Sequence, residues 1–134
     1  MCSQPRKGVI QDYYSKCIKG TYFEQRIKRR EFFIDRVELY SKNRKIFISS
    51  WSIKHIYDKK KAFCSFFIKH IYGIINYPDC IYFNKSKKKG NILFVKSVSE
   101  YLLCIVLEES DKGLYVLTGF RIDESYLKNI ERVK

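Results

Sequence analysis

The chain has 134 residues and a formal charge of +13, from 27 Lys and Arg against 14 Asp and Glu. This length suits one domain of ordinary size, and a hydrophobic fraction of 46% supplies enough apolar surface for a core, which excludes an intrinsically disordered chain. No apolar stretch approaches the ~20 residues that cross a bilayer, and no apolar signal core follows the N-terminal charges. We therefore expect a cytoplasmic protein without a membrane anchor.

The positive charge is concentrated before residue 100. Residues 1–99 hold 22 Lys and Arg against 7 Asp and Glu, whereas residues 100–134 hold 5 against 7. Such a field attracts polyphosphates and makes their binding salt-dependent, so we predict a nucleic-acid partner. The alternatives are lysine-rich solvated faces and an anionic membrane surface, for which no long cationic amphipathic helix is present. The basic runs that we expect to contact phosphates contain Arg29, Arg30, Lys85, Lys87, Lys88 and Lys89.

The first third of the chain is predicted to form helices and a hairpin. Apolar residues at spacings near three and four within residues 8–34, followed by the run Arg26-Ile27-Lys28-Arg29-Arg30, indicate one or two helices, the second highly charged. Residues 36–40 and 45–49 alternate with period two around a turn at residues 41–43. This pattern is typical of a hairpin.

Two helices should follow the hairpin. The first begins near Trp51, with Ser50 or Ser52 as its cap. The second carries a broad apolar stripe over residues 62–75 and ends before Asn76-Tyr77-Pro78-Asp79.

The rest of the chain is predicted to be a sheet with a closing helix. Strands are expected at residues 80–83, 91–98, 100–107 and 114–122, because apolar runs there are separated by short polar turns. A short helix should occupy residues 123–132. The fold class is therefore α+β, with N-terminal helices packed on a four- to six-stranded antiparallel sheet.

Metal and cofactor chemistry are disfavoured. The five cysteines form no CxxC pair, and we interpret Cys64, Cys80 and Cys104, which lie in apolar runs, as small buried hydrophobes in a reducing compartment. The carboxylates are scattered, which argues against a two-metal site. No glycine-rich phosphate loop is present, so we expect no nucleotide cofactor.

Two histidines are the candidate acid or base groups, each within a Lys-His-Ile-Tyr tetrapeptide. His55 has polar neighbours, whereas His70 lies on the apolar stripe and is interpreted as a packing residue. A neutral imidazole can accept a proton from a ribose 2′-hydroxyl, and a nearby cation such as Lys54 can stabilise the charge that develops on phosphorus.

The last strand contributes Thr118 and Arg121 as candidates. Alternation along residues 115–121 places these two side chains on opposite faces of an unbroken strand. A bulge at Gly119 would bring them to one face.

Residues 49–127 resemble the phage-associated nucleases of the barnase, EndoU, nuclease-colicin and RelE-like superfamily. The pieces that carry the resemblance are, in chain order, Trp51-Ser52-Ile53-Lys54-His55-Ile56, the long helix ending at Tyr77-Pro78-Asp79, the strand that starts at Ile81-Tyr82, and residues 92–96, 101–106 and 116–121. The resemblance implies one domain with a nuclease-like core at residues 49–134 and a basic helical extension and hairpin at residues 1–48.

The resemblance also implies an activity. Such enzymes are metal-independent ribonucleases, often toxins or phage-borne effectors, in which the 2′-hydroxyl attacks and a 2′,3′-cyclic phosphate is left. His55 would be the acid or base, Thr118 and Arg121 would contact the scissile phosphate, and Lys96 is a further match. Lys54 is included only because it adjoins His55, and the second tetrapeptide leaves the choice of histidine open.

The partners implied are RNA, with tRNA as one candidate, and an acidic antitoxin or immunity protein. A noncatalytic RNA-binding or regulatory module of the same fold is the alternative, since fold does not determine activity.

Overall fold

The computed structural model describes residues 9–19, 28–128 and 130–133. Three α-helices, α1 Val9–Lys19, α2 Ser50–Lys59 and α3 Lys61–Asn76, are described. Seven strands accompany them: β1 Glu31–Leu39, β2 Lys42–Ser49, β3 Cys80–Phe83, β4 Ile92–Val98, β5 Tyr101–Glu109, β6 Leu114–Ile122 and β7 Glu131–Arg132. None of the helices in this part of the chain is both long and apolar enough to cross a membrane.

The strands form one sheet in the order β1-β2-β6-β5-β4-β3-β7. Every neighbouring pair is antiparallel except β2 and β6, which are parallel over three residue pairs from Ile46↔Leu114 to Ile48↔Val116. The α+β class is confirmed. The predicted count of four to six strands is wrong, because the hairpin β1-β2 joins the sheet of the other strands and β7 adds an edge.

The predicted order, with the helices N-terminal to the sheet, is wrong, although α2 and α3 follow the hairpin as expected. Only α1 precedes the sheet, whereas α2 and α3 connect β2 to β3. The predicted charged second helix is wrong where the structure describes it: residues 28–30 belong to no helix or strand and residues 31–34 belong to β1, while residues 20–27 lie outside the described residues. Phe32 and Ile34 are buried at a spacing of two, which is the period of a strand.

The predicted C-terminal helix at residues 123–132 is wrong as well. A single 3-10 turn, Glu124–Leu127, is followed by β7, which pairs with β3. Leu127 and Ile130 pack against apolar residues of the sheet, and the Val133 amide donates to the Ile81 carbonyl at 2.8 Å. Pairing with the sheet therefore satisfies backbone groups that a short surface helix would leave to water.

Serine side chains fix the start of α2. Ser49 is the N-cap, in place of the predicted Ser50 or Ser52, and its Oγ accepts from the Ser52 amide at 3.1 Å. Ser50 is fully buried; its Oγ donates to the Lys28 carbonyl at 3.1 Å and accepts from the Arg30 amide at 2.8 Å. This serine attaches the chain before β1 to the helix.

The helix α3 covers one face of the sheet, as its apolar stripe predicts. Phe67, Ile71, Ile74 and Ile75 are fully buried, and the helix ends at Asn76. We call the sheet face under α2 and α3 the helix face. The opposite face, which the C-terminal segment covers, is called the tail face, and its buried residues are Leu93, Val95, Cys104 and Val106.

The cysteines behave mainly as packing residues. Cys64 and Cys104 are fully buried, as predicted, whereas Cys80 is only half-buried, and the described cysteines are free thiols. Burial raises the pKa of both Cys64 and Cys104 to about 12. These two thiols are therefore protonated at neutral pH and poor nucleophiles.

Replacing Gly119 should destabilise the protein, because a Cβ there would lie 2.9 Å from Cδ1 of the buried Phe67 ring and closer still to Cε1 and Cζ. We expect Gly119→Ala to lower the free energy of unfolding by roughly 1–3 kcal/mol. Gly73→Ala in α3, where a Cβ meets no atom within 4 Å, should raise it by about 0.5–1 kcal/mol. Urea denaturation distinguishes the two, and equal effects would contradict the close approach.

Candidate functional site

A cleft of about 530 Å³ opens where the junction of α2 and α3 meets the ends of β5 and β6. Its lining contains three cations, Lys59, Lys60 and Arg121, and no Asp or Glu among the described residues. The other lining residues are Ile56, Ala62, Phe63, Phe66, Tyr101, Leu103, Gly119 and Phe120. The cleft is thus basic and partly aromatic.

A break between two helices supplies the lysines. Lys60 is both the C-cap of α2 and the N-cap of α3, and its backbone is extended at φ −164° and ψ 100°. Lys59 and Lys60 are exposed at this corner. Sequence reasoning missed both residues, as it missed Phe63, Phe66 and Tyr101; the one usable signal was the lysine run directly before the apolar stripe.

The sheet supplies Arg121. Directly opposed residues on neighbouring strands share a face, and the register Lys96↔Leu103↔Arg121 runs across β4, β5 and β6. Leu103 packs in the core under the helices, so Lys96 and Arg121 lie on the helix face. Gly119, two residues before Arg121, also faces α3.

Aromatic rings hold the arginine at the cleft. The Arg121 Cζ lies 4.8 Å from the centroid of the Tyr101 ring, and Tyr101 meets Phe66 edge-to-face at 5.7 Å. Arg121 is exposed and forms no ion pair within the described ranges. Its guanidinium is therefore oriented by a ring yet available to an anion.

Both histidines lie one helical turn from a residue that lines the cleft. His55 is exposed and precedes Lys59 by four residues on α2, so the two share one side of the helix. His70 follows Phe66 by four residues on α3, is half-buried, and has its ring 4.6 Å from the Phe66 ring. Burial, and then the charge of Lys69, lowers the pKa of His70, which favours its neutral form.

The two lysines predicted for catalysis contact carboxylates. The Lys54 Nζ lies 2.6 Å from Asp58 on the next turn of α2. The Lys96 Nζ donates to the Tyr77 carbonyl at 2.7 Å and lies 3.6 Å from Asp79. Neither ammonium lines the cleft.

Thr118 and Arg121 lie on opposite faces of β6. The strand has an irregularity at Leu117, where the register shifts between Val106↔Thr118 and Leu107↔Val116, and not at Gly119. Thr118 opposes Val106 of the tail face. Its Oγ1 is buried, with no hydrogen-bond partner in the described structure. The structure does not bring these two predicted residues together.

The basic runs are dispersed around the molecule. Arg29 stacks at 5.0 Å over Trp51, and Arg30 at 5.0 Å over Phe32. The lysines at 85–89 occupy the loop before β4, at the opposite end of that strand from Lys96. Among the described residues, these basic runs therefore do not line a single groove.

No group of three or more His, Cys, Asp or Glu in the described ranges could hold a metal ion. A basic α+β domain with a cleft lined by cations and aromatic rings is typical of proteins that bind a polyanion.

Residues 27–129 match the family described as phage-Barnase-EndoU-ColicinE5/D-RelE like nuclease3. The chain belongs to this family and is a nuclease of that type, which implies a nucleic-acid substrate. No curated protein gives a significant match. The same is true of the solved structures.

The depressed pKa of His70 predicts a pH dependence of stability. The pKa of His70 in the folded protein lies below its unfolded value of about 6.5, so near and below that pH the unfolded state binds more protons than the folded state. The free energy of unfolding therefore decreases as the pH falls below this value. His70→Gln should reduce the loss of stability between neutral and mildly acidic pH, measured by urea denaturation. Identical pH profiles for the two proteins would contradict this.

Proposed function

We propose that the protein is a metal-independent endoribonuclease whose substrate binds in the cleft between Lys59, Lys60 and Arg121. The observation that carries this proposal is the composition of the cleft, with three cations and no carboxylate among the described lining residues. Cations neutralise phosphates, and rings such as Phe63, Phe66 and Tyr101 stack on unpaired bases.

Histidine chemistry favours RNA over DNA. An RNA strand carries its own nucleophile, the 2′-hydroxyl, so an imidazole that removes its proton can start cleavage without a metal. DNA lacks this group. The positions of the histidines, each one helical turn from a residue that lines the cleft, support this choice of substrate.

In the proposed reaction, His55 accepts the 2′-hydroxyl proton. The 2′-oxygen forms a bond to phosphorus and the bond from phosphorus to the 5′-oxygen breaks. The 5′-oxygen takes up a proton from water, and the protonated His55 returns its proton to the solvent. The products are a 2′,3′-cyclic phosphate and a 5′-hydroxyl. Arg121 stabilises the charge that develops on the phosphoryl oxygens, helped by Lys59.

The second candidate function is a noncatalytic RNA-binding or regulatory module. Three observations favour it: Thr118 lies on the face opposite Arg121, and both Lys54 and Lys96 contact carboxylates. The same cleft would bind RNA without cutting it. For either function tRNA is one candidate ligand, and an acidic antitoxin or immunity protein could cover the cations.

The purified protein should cut total RNA in excess EDTA. His55→Ala should lower the cleavage rate by about 10²- to 10⁴-fold, because a positioned acid or base contributes that much. His70→Ala should mainly lower stability, since this ring packs against Phe66. Cleavage is followed on denaturing gels, with folding checked by circular dichroism. Absence of EDTA-resistant cleavage, or its survival in His55→Ala, refutes the proposed mechanism.

Arg121→Gln should lower cleavage by about 10²-fold or more, because it removes the cation aimed at the reacting phosphate. Arg36→Gln is the matched control: Arg36 is exposed on the outermost strand β1, and its loss changes net charge equally. Initial rates on one oligonucleotide compare the two variants. Equal losses would show that only net charge matters.

A further inference from the structure

The loop between β3 and β4 carries four lysines in five residues, at positions 85 and 87–89. We call residues 84–91 the lysine loop. Its backbone is organised by Asn84, whose Oδ1 accepts from the Ser86 amide at 3.2 Å and from the Ser86 hydroxyl at 2.6 Å. The backbone N–H of Asn84 donates to the backbone carbonyl of Asn91 at 2.8 Å and closes the loop. The lysines therefore extend from a defined turn.

The far end of the lysine loop is fixed against the sheet. Gly90 is buried at φ +63°, where side chains are disfavoured. A Cβ at this position would lie 3.0 Å from a Val106 methyl and 3.1 Å from a Leu117 methyl. Since Val106 belongs to the tail face, the loop packs on the side of the sheet away from the cleft.

Three of the four loop charges are unpaired in the described structure. Lys85 forms an ion pair with Glu131 of β7 at 2.7 Å. Lys87, Lys88 and Lys89 are exposed and form no ion pair with any described carboxylate. Three adjacent, solvated ammonium groups attract a polyphosphate chain more strongly than scattered lysines do.

The loop and the cleft are too far apart to hold one phosphate. The loop ends where β4 begins at Ile92. Lys96 lies four residues further along β4 and is aligned with Arg121 across the sheet, since both oppose Leu103. At 3.4 Å per residue this separation is about 14 Å along the strand. The two surfaces also lie on opposite faces of the sheet.

We propose that the lysine loop is a second phosphate-binding surface, which holds a part of the RNA chain remote from the nucleotides in the cleft. This inference rests on the proposed function only in taking RNA as the ligand. It implies a substrate long enough to pass around the sheet from one face to the other, so that a trinucleotide in the cleft gains nothing from the loop.

The test measures binding without cleavage. The probe is a 2′-O-methyl RNA of about 30 nucleotides, which has no free 2′-hydroxyl to attack, and its affinity is measured at several salt concentrations. One variant replaces Lys87, Lys88 and Lys89 with Ser. The matched control replaces three exposed lysines elsewhere, Lys42, Lys45 and Lys112, and so removes the same charge.

The loop variant should bind the probe about tenfold or more weakly than wild type at low salt. The slope of log K against log salt concentration should also become shallower by about 2, because each lost contact with a single-stranded phosphate removes ~0.7 from its magnitude. The control variant should stay within about threefold of wild type. A 2′-O-methyl trinucleotide should bind the loop variant and wild type equally.

Two results would overturn the inference. Equal losses in the loop and control variants would show a general field effect. Unchanged binding by the loop variant would show that these lysines do not contact the RNA. If wild type binds the probe through the loop but cuts no RNA, the inference stands and the proposed function fails.

Discussion

The arrangement of the site depends on the contact between Phe67 and Gly119. Phe67 is fully buried, and it can approach β6 so closely only because position 119 has no side chain. This contact allows α3 to pack close to the sheet. The first residues of α3, and the lysines that precede them, therefore lie next to the end of β6. Arg121, two residues beyond Gly119 on the same face, then reaches the cleft. A larger residue at position 119 would move the helix and the cations together.

Local periodicity made much of the fold predictable. The apolar stripe of α3, its end at Asn76, the hairpin and the four strands from β3 to β6 each depend on neighbours in sequence. The remaining features depend on distant partners. β7 exists because β3 offers a free edge, and the parallel pairing of β2 with β6 joins residues 68 positions apart, such as Ile46 and Leu114. No pattern within a single segment encodes either pairing.

The candidate site was less predictable than the fold for the same reason. Alternation along β6 correctly separates Thr118 from Arg121, but the position of the irregularity at Leu117 is set by β5. Lys59 and Lys60 become cleft residues only because two helices meet at that corner. The partners of Lys96 are a carbonyl and a carboxylate at the end of α3, and alternation within β4 gives no indication of them. Surface ion pairs of this kind contribute only about 0–1 kcal/mol, so a phosphate can replace Asp58 or Asp79 at little cost.

The parallel pairing of β2 with β6 also affects the order in which the protein can fold. The hairpin, the helix pair and the meander of β3 to β6 each close short loops. The contact between β2 and β6 must instead close a loop of about half the chain, and contacts of high sequence separation form slowly. Arg121 lines the cleft and belongs to β6, the strand that makes this pairing. The cleft is therefore incomplete until β6 has paired with both β2 and β5, and a partly folded chain lacks the arginine that completes it.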